Sequence, residues 1–152
     1  MVYILTAMRR EADSLGIPCR VIGIKATDLP ETTEEDILVN IGYCGAIDIP
    51  VGTIVEPNET ANYETAEGKK LRTHFDCVHA PCFTADKFVT EPCCLSESIY
   101  DMELEKIAAL PHKELYALKI VSDNLDEADC EKYDDADAWA RVRAMLEGAK
   151  LV

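Results

Sequence analysis

The chain opens on an unbroken apolar run, VYILT at 2–6, in which polar and apolar positions do not alternate. Such a run predicts a short strand covered on both faces, as in a parallel sheet. AMRREADSLG follows as a short helix, with Gly16 as its stop signal. RVIGIKA at 20–26 reads as a second strand and DLPETTEED as a polar loop. ILVNI at 37–41 is a third buried strand that runs straight into GYCGAI, where Gly42 and Gly45 permit a tight turn. VGTIVE at 51–56 is a fourth strand. The stretch 57–92 is polar first and then rich in Cys and His, with a short strand expected around 86–90. SESIYDMELEKIAAL at 96–110 reads as a helix with Ser96 as N-cap, acidic residues in its early turns and Pro111 as its stop. ELYALKIVSD at 114–123 is a strand. DADAWARVRAMLEGA closes the pattern as a helix with Trp139, Val142, Met145, Leu146 and Ala149 on one face. This order predicts an α/β fold, a three-layer α/β/α sandwich around a mostly parallel or mixed central sheet.

The length of 152 residues suits a single domain, 1–152, with one sizeable core. Fifteen Lys and Arg stand against 29 Asp and Glu, for a net charge of -14. A chain so acidic repels phosphate backbones and anionic lipid, which argues against nucleic-acid and membrane-surface roles. No apolar run approaches the length needed to cross a bilayer. The first apolar run precedes its arginines, the wrong order for a signal peptide. Seven cysteines are an odd count, and with no export signal the expectation is reduced thiols in a cytoplasm.

In α/β sheets, ligands sit at the carboxyl ends of strands. After the first strand comes TAMRRE, with Glu11 one short turn into a helix. After the third comes Gly42-Tyr43-Cys44-Gly45-Ala46, and after the last comes Ser122-Asp123-Asn124. The helix before that last strand carries Tyr100-Asp101-Met102-Glu103. Singly, each has an ordinary structural reading. Glu11 suits the positive end of a helix. Two glycines three apart are not a dinucleotide fingerprint. Asp123 can close a turn, and Asp101 and Glu103 can lie on a solvated helix face. What argues for a site is that all four fall along one edge of the expected sheet.

The order of these pieces resembles the nucleoside phosphorylase and nucleosidase superfamily, and most of all its 5'-methylthioadenosine/S-adenosylhomocysteine nucleosidase branch. AMRRE looks like that branch's first-strand motif, an Ala-Met pair with an acidic residue three positions after Met8. NIGYCGAI and VGTIVE are similar to the glycine turn and the V-G-D-I-V strand. ADKFV resembles the short strand that supplies an aromatic to the base pocket. YDMELEKIA is similar to the E-M-E helix, and KIVSDNLDE to the I-S-D strand end. This chain departs from the pattern in being shorter, in Tyr43 and Ala46 within the glycine segment, in Asp101 for the first acidic residue, and in Glu105.

The resemblance implies a phosphorylase/hydrolase-like fold that cleaves the N-glycosidic bond of a purine nucleoside without a cofactor, as in methionine salvage. The leaving base must be protonated, the ribosyl cation needs negative charge nearby, and a nucleophile must attack from the opposite face. This division of labour parallels two-carboxylate glycoside hydrolysis. By the resemblance, Asp123 protonates purine N7 and Glu11 positions or activates water. Glu103 binds the ribose hydroxyls, Met102 packs beneath the sugar and Phe88 stacks on the base. Main-chain groups of Val89 meet the purine edge, Ser122 belongs to the substrate-binding set, and Gly42 and Gly45 let backbone approach the ligand. For Asp123 to donate near neutral pH, burial or another carboxylate must raise its pKa. The resemblance also implies a homodimer or larger homo-oligomer.

Three alternatives stand beside this reading. A phosphorylase needs an anion site where Glu11 would repel phosphate. Arg9 and Arg10 are the candidate anion holders, but adjacent helix residues point about 100° apart. A non-catalytic member would keep the fold and bind a nucleoside. THFDCVHAPCF carries His74, Cys77, His79 and Cys82, with Cys93 and Cys94 beyond. These are zinc-type donors at a non-standard spacing, read here as packing in a cysteine-rich chain with no metal expected.

Overall fold

In the computed structural model, which describes residues 1–94 and 96–152, the run that begins at Ile37 does not turn at the glycines. It continues through Gly42 and Gly45 as one strand of 11 residues, Ile37–Ile47. Around it lie β1 (Val2–Thr6), α1 (Arg9–Leu15), β2 (Arg20–Val21), this central strand as β3, β4 (Ile54–Asn62) and β5 (Gly68–Lys70). Then follow β6 (Val78–Thr84), β7 (Ser98–Asp101), α2 (Leu104–Ala108), β8 (Glu114–Asp123), α3 (Glu127–Lys132) and α4 (Ala136–Gly148). The fold is mixed α/β.

β3 organises the sheet. Its first half lies parallel to β1, and along almost its whole length it lies parallel to β8. Its last residues, Gly45 to Ile47, pair antiparallel with β7. β7 runs parallel to β6, β6 parallel to β4, and β4 antiparallel to β8. The path β3–β7–β6–β4–β8 therefore returns to β3 and closes a barrel-like ring, which leaves few free sheet edges. β2 extends the sheet beyond β1, and β5 beyond β4.

Alternation along β3 and β8 divides the core. Val39, Ile41, Tyr43, Leu118 and Ile120 face α1 and α4, where Leu15, Trp139, Val142 and Leu146 bury against them. Leu38, Cys44, Ala117 and Val121 face the other way, toward α2 and the strands that close the ring, with Val55, Cys82 and Ile99. α4 is thus the amphipathic helix that its spacing predicts, capped by the Asp135 carboxylate on the Ala138 N–H. Gly16 ends α1 in a left-handed conformation, φ 73°.

Several sequence expectations are corrected. The strand expected at 20–26 pairs only at Arg20 and Val21, and Lys25 and Ala26 then turn with positive φ. The fourth strand starts at Ile54, after a turn at 51–52, and runs on to Asn62. No strand forms at 86–90, and β6 lies earlier, at Val78–Thr84. The expected helix at 96–110 is a buried strand followed by a short helix, so Ser96 caps nothing and Ser98 starts β7. The cause is the Asp101 carboxylate, which accepts from the Leu104 N–H at 2.8 Å and starts the helix three residues after the strand ends.

Candidate functional site

Glu11 lies in the first turn of α1, just beyond the end of β1. Its Oε1 turns back to accept the N–H groups of Ala7, 3.1 Å, and Met8, 2.9 Å. Its Oε2 crosses to β3 and accepts the Tyr43 N–H at 2.7 Å. The side chain is almost wholly buried. Burial pushes its pKa up, against the Tyr43 N–H and the Lys119 charge. Gly42 lets this carboxylate approach, since a Cβ there would sit 2.8 Å from Glu11 Oε2.

Asp123 ends β8 and lies across the ladder from Gly45, at a register shift in β3. Its Oδ1 accepts the Leu125 N–H at 2.9 Å, and its Oδ2 accepts the Ser122 hydroxyl at 2.8 Å. Burial raises its pKa against these two donors. Gly45 makes room here too: a Cβ would meet Leu125 Cδ2 at 2.8 Å and Asp123 Oδ1 at 3.0 Å.

Asp101 and Glu103 sit where β7 turns into α2, and both are buried rather than solvated. Glu103 Oε2 accepts the Lys25 N–H at 3.2 Å, which ties the loop after β2 to this corner. Burial and then the Asp101 charge lift Glu103 to about 8. Burial would lift Asp101 as well. The Lys119 ammonium, 3.0 Å away, and the Thr84 hydroxyl, 2.6 Å away, outweigh it and hold Asp101 below the ordinary range.

These groups face one cavity of about 570 Å³. Glu11, Gly45, Ser122 and Asp123 line it from the ends of β1, β3 and β8. Met102 and Glu103 line it from the β7–α2 corner, and Phe88 and Val89 from the irregular segment after β6. Every site residue expected from the sequence is brought together here except Gly42, which stands behind Glu11. The size is that of a small-molecule pocket with convergent polar groups.

Sequence reasoning did not single out Lys119, a fully buried lysine inside the barrel that carries the balancing charge for the carboxylates. A lone lysine in an apolar strand is a signal that could have found it. Tyr100 also lines the cavity, its ring stacked on Phe83 at 5.7 Å. The Tyr43 ring turns to α4, where its hydroxyl accepts the Trp139 indole N–H at 2.9 Å. Glu105 accepts from the Asn62 amide at 3.1 Å, outside the cavity. Arg10 lines the cavity wall, lies over the Tyr43 ring, and donates to the Tyr133 and Cys130 carbonyls. Arg9 is exposed and absent from the lining.

No family model and no curated protein sequence matches the chain. Solved structures do match in fold. The MTAN of Chlamydia trachomatis bound to MTA aligns with TM-score 0.72 at 12% identity, covering 99% of this chain and 98% of that one. The 5'-methylthioadenosine/S-adenosyl homocysteine nucleosidase of Helicobacter pylori aligns with TM-score 0.66 at 14% identity, covering 97% of each chain. A futalosine hydrolase mutant of the same species aligns with TM-score 0.66 at 14% identity, covering 97% and 98%. The chain therefore shares the fold of these nucleosidases and of the futalosine hydrolase.

Proposed function

We propose that the protein is a nucleosidase that hydrolyses the N-glycosidic bond of a purine nucleoside, releasing free base and a ribose derivative. The observation that carries this reading is the convergence of two buried carboxylates, Glu11 and Asp123, on one cavity through different hydrogen-bond sets. Asp123, with its raised pKa, is the acid that protonates the purine at N7 as it leaves. Glu11 is fixed by three backbone N–H groups and holds the attacking water, so no reorganisation is needed as the reaction proceeds. Glu103 takes the ribose hydroxyls, Met102 packs beneath the sugar, and Phe88 and Val89 receive the base.

Water is favoured over phosphate as nucleophile. A phosphate beside Glu11 would meet an acidic side chain already held by three backbone N–H groups, and Arg10 already spends two of its N–H groups on carbonyls. A purine nucleoside as substrate is supported by the fold neighbours, one of which was solved bound to MTA.

The test is product analysis. The protein is incubated with 5'-methylthioadenosine, S-adenosylhomocysteine, adenosine and inosine, each with and without phosphate. Free base without phosphate is the expected result. Free base only with phosphate would make the protein a phosphorylase. No free base from any of them, with adenine still bound, would leave a nucleoside-binding protein.

A further inference from the structure

A second cluster of reactive side chains lies at the other end of the strands. β8 ends at Asp123 in the cavity and begins at Glu114, while β6 ends at Thr84 beside Asp101 and begins near His79. Glu56 of β4 and His79 are partners in the parallel β4–β6 ladder, and Cys77 directly precedes β6. A carboxylate oxygen of Glu56, the Cys77 Sγ and a ring nitrogen of His79 all lie within 4.8 Å of one another. None of the three lines the cavity described above.

We propose that Glu56, Cys77 and His79 form a zinc site, with His74 as its fourth ligand. Thiolate, imidazole and carboxylate together are the donor set of a tetrahedral zinc ion. Zinc bonds of about 2.0–2.3 Å place ligand atoms about 3.3–3.8 Å apart, so Glu56, Cys77 and His79 close by about 1 Å, and the His74 ring moves further to join them.

Two further observations point to a cation. The Glu56 side chain is 2% exposed, and among the described residues its ion-pair partners are His74 and His79, with no lysine or arginine. The His74 and Phe75 N–H groups donate to its oxygens at 2.7 and 3.1 Å, but no permanent cation balances its charge, which a bound divalent ion would do. The second is His74. Its Nε2 lies 2.6 Å from Glu114 Oε1, and a ring that keeps its proton on Nε2 for that carboxylate has the Nδ1 lone pair to offer a metal. That Nδ1 is buried without a hydrogen-bond partner and lies 3.4 Å from Glu56 Oε2. A carboxylate that orients a histidine from behind is the usual support of a zinc ligand. The His74 ring is also held in place by Tyr116, stacked at 4.0 Å.

The histidine and cysteine segment that the sequence marks is thus gathered, with one exchange. Cys82 points into the barrel core and leaves the group, and Glu56 takes its place. His79 is part-exposed, which gives an ion a way in. Binding releases the Cys77 thiol proton, and the His79 Nε2, which lies 2.9 Å from the Phe75 carbonyl and so donates to it, gives its proton to solvent while Nδ1 carries the proton of the ligating ring.

The test uses the full chain, purified without chelator, for zinc content, and then the metal-free protein titrated with Co²⁺ and followed by absorbance. One metal per chain is expected, with a thiolate-to-cobalt charge-transfer band and the intense visible bands of tetrahedral cobalt. Cys77→Ser loses the charge-transfer band. Cys93→Ser, at an exposed cysteine outside the group, keeps it. Glu114→Gln weakens binding about 10–100-fold. Circular dichroism of each metal-free variant separates lost binding from lost folding, and His79→Gln serves if Cys77→Ser does not fold. Absence of one-equivalent binding by the wild type would overturn the proposal. So would binding that survives both Cys77→Ser and His79→Gln. Neither result depends on nucleosidase activity.

Discussion

Lys119 Nζ lies 3.0 Å from Asp101 Oδ2, with 1% of the lysine side chain and none of the aspartate side chain exposed. Burial would lower the pKa of this lysine, but Asp101 and then Glu103 outweigh it and raise it. One buried ammonium thus faces Asp101, Glu103 and Glu11, all of which respond to its charge. It sits between the barrel core and the cavity, so it ties the stability of the ring to the charge state of the site.

Lys119→Met should therefore destabilise the protein strongly. The apolar side chain fits the interior, but Asp101 is left buried without its cation. Breaking a buried pair in this way costs about 3–5 kcal/mol. Chemical denaturation at neutral pH measures it. A loss below about 1 kcal/mol would mean that Asp101 is already neutral in the folded protein. The double variant Lys119→Met with Asp101→Asn should recover part of the loss, because the uncompensated charge is then gone.

Gly42→Ala probes the hold on Glu11 without touching the cavity wall. The added Cβ falls 2.8 Å from Glu11 Oε2, which is pinned to the Tyr43 N–H at 2.7 Å. The carboxylate must move and its hydrogen bond lengthens. Overpacking of this kind costs about 1–3 kcal/mol. With free base as the readout, the rate should fall at least tenfold while KM changes little. An unchanged rate would show that the position of Glu11 does not matter to the chemistry.

Glu103 gives the pH dependence of stability. Its folded pKa of about 8 lies above the ordinary 4.5, so the folded state holds a proton that the unfolded state has released. Stability therefore falls as pH rises from about 4.5 to about 8. Glu103→Gln cannot ionise, and its carbonyl oxygen can still accept the Lys25 N–H. It should raise the melting temperature relative to wild type at pH 8 and leave it nearly unchanged at pH 4. Equal differences at both pH values would show that Glu103 ionises normally in the fold.

What could be read from the sequence follows how each element is held. β1, β8 and α4 are specified locally, by unbroken apolar runs and by one apolar helix face. β6 is masked in the sequence because Pro81 lies inside it and Pro57 of β4 faces it at a register shift. Proline removes a ladder hydrogen bond and normally argues against a strand. The full length of β3 is masked because Gly42 and Gly45 look like turn residues. Their actual role is to admit Glu11 and Asp123 side chains arriving from elsewhere in the chain, which no local pattern records. Most of the residues that line the cavity are legible through motif order, whereas Lys119 acts only through partners that tertiary structure supplies. Glu56 was likewise unreadable as a partner for His79, since the β4–β6 ladder alone brings the two together.

Asp123→Asn separates chemistry from folding most cleanly. The amide oxygen can keep the Leu125 N–H, and the amide nitrogen can face the Ser122 hydroxyl, which is free to rotate and accept. The hydrogen bonds survive, but no acidic proton remains for the leaving base. Loss of a general acid lowers the rate about 10²–10⁴-fold. The raised pKa of the wild-type carboxyl means that ionising Asp123 in place is unfavourable. A neutral amide should then match or exceed wild-type stability above that pKa, while activity collapses. In the wild type, kcat/KM should be high where Asp123 is protonated and decline as pH rises through its pKa. The same decline in a variant that lacks Asp123 would assign it to another group. Full activity in Asp123→Asn would remove Asp123 as the acid.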